Sequence, residues 1–435
     1  MSTTIETLSS LERRLHMSLP AADIDKQVGD RIKKLATTFR MPGFRPGKVP
    51  LKLVAAQYAG QVRGEVLGDA VQKAFSEAVQ GGKLRVAGYP KIEPKTGGAS
   101  DQLEFSASFE VYPEISLGDI TAQRIERRSL LVGDAEIDRT IESLRKQRAT
   151  YESAARAAQT GDRVTVDFSG KVDGVEFAGG SGKDMVFTLG EKKMLPEFES
   201  GVTGRSAGEA TSFPVTFPAD YHSKDVAGKT ATFEVTLTKV EAPRLPEVDG
   251  ELAKQFGVAD GDVTKMRGEI KENVEREVTQ RLASMTKQKV MQSLIDSTKV
   301  EVPNALVELE QDRMVDNARA DLTARGMKNV ESMPIDKAMF KDQATRRVTL
   351  GLIVGEVIKQ HELAAKPEQV RKLVEAHAST YEQPFEVIKW VYSQPQRLSE
   401  FEGLAVEENV VSWVLAKARV EDQPIGFDEL MGVAS

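Results

Sequence analysis

The strongest constraint on this chain is a change of hydrophobic period. Between Gly161 and Val240 apolar residues recur at every second position, in Val164, Val166 and Phe168, in Phe213, Val215 and Phe217, and in Phe233, Val235 and Leu237. That is the spacing at which the side chains of a strand fall on one face. Glycine is dense in the same stretch, and Met194 to Val202 is its one short helical candidate. Beyond Pro243 and Pro246 the spacing becomes three and four, through Val263, Met266, Ile270, Val274, Val278, Leu282 and Met285. That second period is helical. A strand pattern bounded on both sides by helical sequence implies a compact antiparallel β domain inserted into a helical body, and hence a multidomain α+β chain.

The N-terminal part mixes both periods. Leu15, Met17 and Leu19 alternate as in a half-buried strand, and Ala21 to Phe39 reads as a helix with Ile24, Val28, Ile32, Leu35 and Phe39 on one side. Asp23 or Asp25 can cap its start. A second helix begins in the first turn at Pro50 and runs through Val54, Val62 and Phe75 to Gly81 and Gly82. Arg85 to Pro90 and Leu103 to Val111 are further strands, so residues 1–112 form a small α+β domain. Residues 113–160 read as a spacer, extended from Leu117 to Arg127 and helical from Asp134 to Ala149. Residues 161–243 form the β domain. Residues 244–435 form the helical body, with long helices at Asn304 to Arg325 and Asp336 to His361 and shorter ones after Pro367, Pro384 and Leu398.

The two N-terminal helices meet at Arg40-Met41-Pro42-Gly43-Phe44-Arg45-Pro46-Gly47-Lys48-Val49-Pro50. Proline fixes φ and glycine tolerates positive φ, so the run interrupts both helices and forms an exposed turn. No acidic residue occurs from Arg31 to Gly64, although the whole chain has a net charge of -7. On these residues alone, Phe44 either plugs the base of a helix hairpin or fills an apolar cleft on a partner whose phosphates or carboxylates meet the cations.

Composition excludes several chemistries. With no cysteine there is no disulfide, thiolate nucleophile or thiolate metal site, which is compatible with a reducing, cytoplasmic compartment. Met1 to Pro20 lacks the apolar run of a signal peptide, and no stretch approaches a membrane span. His16, His222, His361 and His377 are too scattered for a metal site, although His222 can either line a pocket beside Tyr221 or sit on the surface. Gly179-Gly180-Ser181-Gly182 lacks the Lys and helix of a phosphate loop and reads as a flexible flap. No metal or cofactor is expected. Met266, Met285, Met291, Met314, Met327, Met333 and Met339 serve either as core or as an adaptable binding surface.

Two motifs carry a family resemblance. Gly43-Phe44-Arg45-Pro46-Gly47-Lys48-Val49-Pro50 resembles the G-F-R-x-G-x-x-P signature of trigger factor, the bacterial ribosome-associated chaperone family. The resemblance implies that Gly43, Phe44, Arg45, Gly47 and Lys48 dock on the large ribosomal subunit beside the exit tunnel, touching ribosomal protein and RNA. Many members carry Lys where this chain has Pro46, and Lys48 is then the neighbouring source of that charge. The helical half extends the likeness through Val302-Pro303-Asn304-Ala305-Leu306-Val307. It implies a body with two arms that shields nascent and unfolded polypeptides, assists folding and export, and needs no ATP, DNA or membrane. A homodimer off the ribosome stays open, as does a free foldase without ribosome docking.

The second motif, Gly161-Asp162-Arg163-Val164-Thr165-Val166-Asp167-Phe168 with Phe177, Met194-Leu195-Pro196, Phe198-Glu199-Ser200-Gly201-Val202 and the strand around Phe233, resembles FKBP-type prolyl isomerases. That likeness places Phe168, Phe177, Met194, Leu195, Phe198, Tyr221 and Phe233 around a proline ring, with an N–H near Leu195 facing the substrate carbonyl. Phe198 stands where many FKBPs have Trp, and Ala178 where an acid is usual. Isomerisation of X-Pro needs no nucleophile, because only the amide rotational barrier of ~18–20 kcal/mol must fall. The rival reading is a non-enzymatic chaperone with a vestigial pocket.

Overall fold

The computed structural model describes residues 2–38, 44, 49–95, 101–221 and 223–432. The chain divides into two units, Met1–Arg127 with Met285–Gln423, and Arg128–Ser284 with Pro424–Ser435.

The first unit begins with β1 (Ser2–Thr7), β2 (Glu12–Pro20), α1 (Ala21–Thr38), α2 (Leu51–Gly81), β3 (Val86–Pro94) and β4 (Gln102–Val111). The strands form an antiparallel sheet in the order β1-β2-β4-β3. The alternation of Leu15, Met17 and Leu19 buries all three against Ile24, Val28 and Ile32 of α1 and Val54, Val62 and Val66 of α2. Phe75 meets Phe109 edge to face at 5.2 Å. Strand β1 carries little apolar signal of its own and exists through its pairing with β2. Pro50 is the N-cap of α2 rather than a first-turn residue; its carbonyl accepts from the Leu53 and Val54 N–H groups at 2.9 and 3.3 Å.

The connector contains a 3-10 turn at Ile120–Ala122, capped by the Asp119 carboxylate on the Thr121 N–H at 2.9 Å, and then β5 (Arg124–Ser129). In the second unit, α3 (Asp134–Gln147) has Asp134 and Glu136 in its first turn and Arg145 and Lys146 in its last. Both charge groups complement the helix dipole. The β domain follows with β6 (Thr150–Ser153), β7 (Arg163–Val172), β8 (Val175–Thr188), α4 (Pro196–Val202), β9 (Ala210–Thr216) and β10 (Thr230–Arg244). Its order is β6-β10-β7-β8, with β9 also paired to β10. Val164, Val166, Val215, Val235, Leu237 and Val240 build the core, and Phe198 and Val202 of α4 close it. After it come α5 (Gly250–Gln255), capped by Asp249, and α6 (Val263–Ser297), whose first part packs Met266 with Leu252 and Val258.

Gly179-Gly180-Ser181-Gly182 is not a free flap but part of β8. Ser181 and Gly182 pair with Ser169 and Phe168 of β7. Two of its glycines answer to crowding, since a Cβ on Gly182 would lie 2.7 Å from the Phe168 ring and one on Gly180 2.9 Å from the Phe177 ring, whereas Gly179 has open space and a φ of 81°.

The helical body of the first unit comprises the end of α6, α7 (Asn304–Ala324), α8 (Lys341–His361), α9 (Pro367–Ala378), α10 (Pro384–Tyr392) and α11 (Pro395–Lys417). The helix read from Asp336 starts as a 3-10 turn at Lys337–Phe340, capped by Asp336. Val290 and Leu294 of α6, Ile353 and Val357 of α8, and Val410 and Val414 of α11 bury Ile120 and Ile125 of the connector. The start of α7 rests on β3 and β4: the Glu110 carboxylate accepts the Ala305 N–H at 2.6 Å, and Gly88 leaves room where a Cβ would meet the Ala305 side chain at 2.6 Å. One strand interrupts the helical sequence. Strand β11 (Arg419–Pro424) pairs with β5, and Arg127 grips Asp422 through two hydrogen bonds of 2.6 and 2.9 Å. A short α12 (Phe427–Met431) follows.

Candidate functional site

An apolar cavity of about 460 Å3 opens on the β domain. Strand β7 contributes Phe168, β8 contributes Phe177 and Met185, β9 contributes Val215, and β10 contributes Phe233. Met194 and Leu195 come from the turn entering α4, Phe198 from its first turn, and Phe217, Tyr221 and Val226 from the β9–β10 connection. All seven residues named from the FKBP likeness, Phe168, Phe177, Met194, Leu195, Phe198, Tyr221 and Phe233, line this one cavity.

The local folding explains why they converge. Strand β8 bulges between its pairings with Ser169 and Lys171, so that extra residues on β8 oppose a short stretch of β7. A bulge re-aims side chains. Here it carries Phe177 into edge-to-face packing with Phe217 at 5.9 Å and Phe233 at 6.3 Å. Leu195 is the N-cap of α4, and its carbonyl accepts from Phe198 and Glu199 at 2.9 and 3.1 Å. That cap sets Phe198 beneath the cavity, where it is 4% exposed and meets Phe168, Phe213 and Phe233 near perpendicular at 6.0, 5.7 and 5.4 Å. Tyr221 leans on Phe217 at 4.8 Å. The Leu195 N–H has no acceptor assigned among the described residues, which leaves it able to donate to a ligand carbonyl.

Charge is confined to one side of the lining. Lys192 and Lys193 supply it, and among the described residues no carboxylate or imidazole lines the cavity. The Lys193 ammonium is raised above its usual range by a 2.6 Å hydrogen bond to Glu191, with direct charge attraction adding to it. Ala178, the residue standing where the FKBP likeness leads one to expect an acid, sits in the wall beside Gly179, and His222 lies outside the described residues. Such a site can hold an apolar ring and orient an amide; Ser223 and Tyr221 add hydroxyls to its lining, and among the described residues neither has a carboxylate or imidazole beside it in that lining to act as a base.

Two carboxylates brace the frame. Asp162 is buried and held by Arg156 through bonds of 2.6 and 2.9 Å and by the Gln159 N–H at 2.8 Å. Burial is the largest single influence and pushes its pKa up, but the bonds from Arg156 and Gln159 together outweigh it and hold the pKa below the usual carboxylate range. Glu241 accepts from Arg163 at 2.9 Å and Lys239 at 2.6 Å, and the Arg163 bond leads in lowering its pKa to about 2.

In the first unit, Phe44 is 40% exposed between α1 and α2, while Val49 is buried in the core. Gly43, Arg45, Gly47 and Lys48 lie outside the described residues. The methionines divide: Met291 and Met314 are buried, whereas Met327, Met333 and Met339 are exposed. Phe385 and Trp390 of α10 are exposed as well, with the Arg397 guanidinium 3.6 Å above the Trp390 ring. Among the described residues no helix is long and apolar enough to cross a membrane.

Sequence reasoning passed over Met185, Val215, Phe217 and Val226 as cavity residues. Phe217 and Val215 were legible only as a strand face. Val226 carries no local signal, because it reaches the cavity through a loop.

Three family models match the chain. Residues 1–144 match the bacterial trigger factor protein, residues 154–238 the FKBP-type peptidyl-prolyl cis-trans isomerase, and residues 262–416 the bacterial trigger factor protein C-terminus. The trigger factor of Azoarcus sp. strain BH72 is 54% identical over 438 residues, and that of Aromatoleum aromaticum 52% over 435, each alignment covering 100% of both chains. A solved structure described as "Promiscuous Substrate Recognition in Folding and Assembly Activities of the Trigger Factor Chaperone" aligns with 96% of this chain and 99% of its own at 17% identity and a TM-score of 0.47. With an FKBP-type segment between the two parts of one family's pattern, and relatives more than half identical over their whole length, the chain belongs to the bacterial trigger factor family.

Proposed function

We propose that this chaperone docks on the large ribosomal subunit beside the exit tunnel, shields nascent and unfolded polypeptides there, and isomerises X-Pro bonds in the cavity of its β domain. Docking falls to Gly43, Phe44, Arg45, Gly47 and Lys48 in a domain of residues 1–112, joined by a linker and arm of residues 113–160 to an isomerase of residues 161–243. Residues 244–435 form the client-holding body, working in the cytoplasm.

The observation that carries the enzymatic part is the convergence of Phe168, Phe177, Phe198, Tyr221 and Phe233 on one cavity with no carboxylate in its described lining. Proline isomerisation asks for no proton transfer or covalent intermediate. A twisted amide has lost resonance and some polarity, so a dry aromatic site binds it better than the planar form, and preferential binding of the transition state lowers the barrier. An N–H at Leu195 orients the preceding carbonyl. The exposed Phe385, at 85%, and Met339, at 78%, support the holding part, because flexible or aromatic surface groups accept varied apolar segments. At ~25 cal/mol per Å2, a few hundred Å2 of covered apolar surface gives several kcal/mol gross, which suits reversible holding.

The test is proline-limited refolding of an unrelated protein with catalytic amounts of this chain. Acceleration is expected, and an unchanged slow phase would remove the isomerase from the reading.

A further inference from the structure

The turn from Gly190 to Met194 supplies one wall of the cavity, yet its own conformation is unfavourable. Gly190 has φ 90° and Lys192 has φ 55°, so two of its five residues are left-handed, and Lys192 has a side chain that resists that region. Its entry is anchored at Leu189: the Leu189 N–H donates to the Asp162 carbonyl at 2.9 Å, and the Leu189 carbonyl accepts from Gly161 at 2.8 Å. Its exit is anchored at Leu195, the N-cap of α4.

Between these anchors, the Glu199 side chain reaches back from α4. The Glu199 carboxylate accepts the Gly190 N–H on one oxygen at 2.9 Å and the Met194 N–H on the other at 3.4 Å. It thereby joins the two ends of the turn. Glu199 does not line the cavity, but Lys192, Lys193 and Met194, which do, belong to the segment it closes, and Leu195, which also does, follows it directly.

We propose that Glu199 is a positioning residue for the proline site, clasping the Gly190–Met194 turn so that Met194, Leu195 and the two lysines keep one fixed wall opposite the aromatic rings. The assignment rests on the reading of the cavity as an isomerase site. Catalysis by shape requires walls that stay in place, and a displacement of about 1 Å can cost roughly 10²-fold. Without the clasp, the left-handed turn relaxes and the Leu195 N–H loses its aim.

The experiment uses the full chain and a tetrapeptide with a central X-Pro bond. Glu199→Ala is expected to raise KM about tenfold with a smaller change in kcat, and to shift the Gly190 and Met194 amide resonances. Glu199→Gln, which retains one acceptor oxygen, is expected to fall between, at about threefold, and it takes over the same criteria should the alanine variant not fold. Folded variants whose KM and kcat stay within twofold of wild type would overturn the proposal, because a merely structural role lowers the melting temperature without altering the kinetics of folded molecules. A wild type that fails to isomerise the peptide overturns the isomerase reading instead. Glu199 is then judged by peptide Kd from the same spectra: a tenfold weakening in Glu199→Ala sustains its role, and an unchanged Kd overturns it.

Discussion

Phe198 and Phe233 meet edge to face under the cavity, with ring centroids 5.4 Å apart and planes at 88°. One ring comes from α4 and the other from β10, so this pair ties the short helix of the β domain to its 15-residue strand. Gly170 of β7 makes the arrangement possible, because a Cβ there would lie 2.6 Å from the Phe233 ring.

Removing Phe198 therefore affects both fold and cavity. Phe198→Ala is expected to lower stability by about 3–5 kcal/mol, the usual cost of emptying a buried aromatic site. Phe198→Leu, closer in volume, is expected to cost about 1.5 kcal/mol or less. Both should slow catalysed proline-limited refolding at least several-fold, since the ring also lines the cavity. Urea unfolding and refolding assays on the two variants separate these effects; a leucine variant as fast as wild type would argue against a role for the aromatic ring.

The exposed position of Phe44 separates docking from stability. Phe44→Ala combined with Arg45→Ala is expected to change unfolding free energy by only about 0.5 kcal/mol, as surface substitutions do. Binding to empty ribosomes should weaken more than tenfold, and the wild-type affinity should fall steeply with salt if phosphates are contacted. Co-sedimentation at two salt concentrations reads both, and unchanged binding by the double variant would sink the docking claim.

Glu241 makes a pH dependence calculable in sign. Its folded pKa is depressed from 4.5 to about 2 by Arg163 and Lys239. The unfolded chain therefore takes up this proton first as pH falls. The contribution is complete above about pH 4.5 and is lost progressively between pH 4.5 and 2. Replacing Glu241 by Gln should flatten the acid side of the stability curve in that window, measured as the difference in urea midpoints between wild type and variant. Parallel curves would show that the ion pairs contribute nothing.

Two glycines offer opposite outcomes for the same change. A methyl on Gly118 would overlap the Ser297 carbonyl, beside the bond of 3.1 Å from the Gly118 N–H to Thr298. Gly268, inside α6, has open space around it. Gly118→Ala is expected to destabilise by more than about 2 kcal/mol, within the range of backbone strain and overpacking. Gly268→Ala should stabilise by up to about 1 kcal/mol through helix propensity. Thermal melts of the two variants moving in the same direction would contradict this.

Periodicity by itself determined the elements whose cause is local. Leu15, Met17 and Leu19 alternate because every second side chain of β2 faces the core, and Ile24, Val28 and Ile32 are spaced by four because α1 turns that way. The seven cavity residues were accessible by another route, through the resemblance to FKBP-type isomerases rather than through periodicity. Tertiary structure alone decided what depends on distant partners. Strand β11 is polar and short, and it is a strand because residues nearly three hundred positions earlier in β5 supply its hydrogen bonds. Gly179 to Gly182 looks mobile in sequence, yet ring crowding and pairing with β7 hold it in β8. Glu199 reads as one more surface acid until the fold brings Gly190 and Met194 to its two oxygens. Side-chain periodicity is written in the chain, whereas strand pairing, close packing and the aim of a carboxylate arise only when separated segments meet.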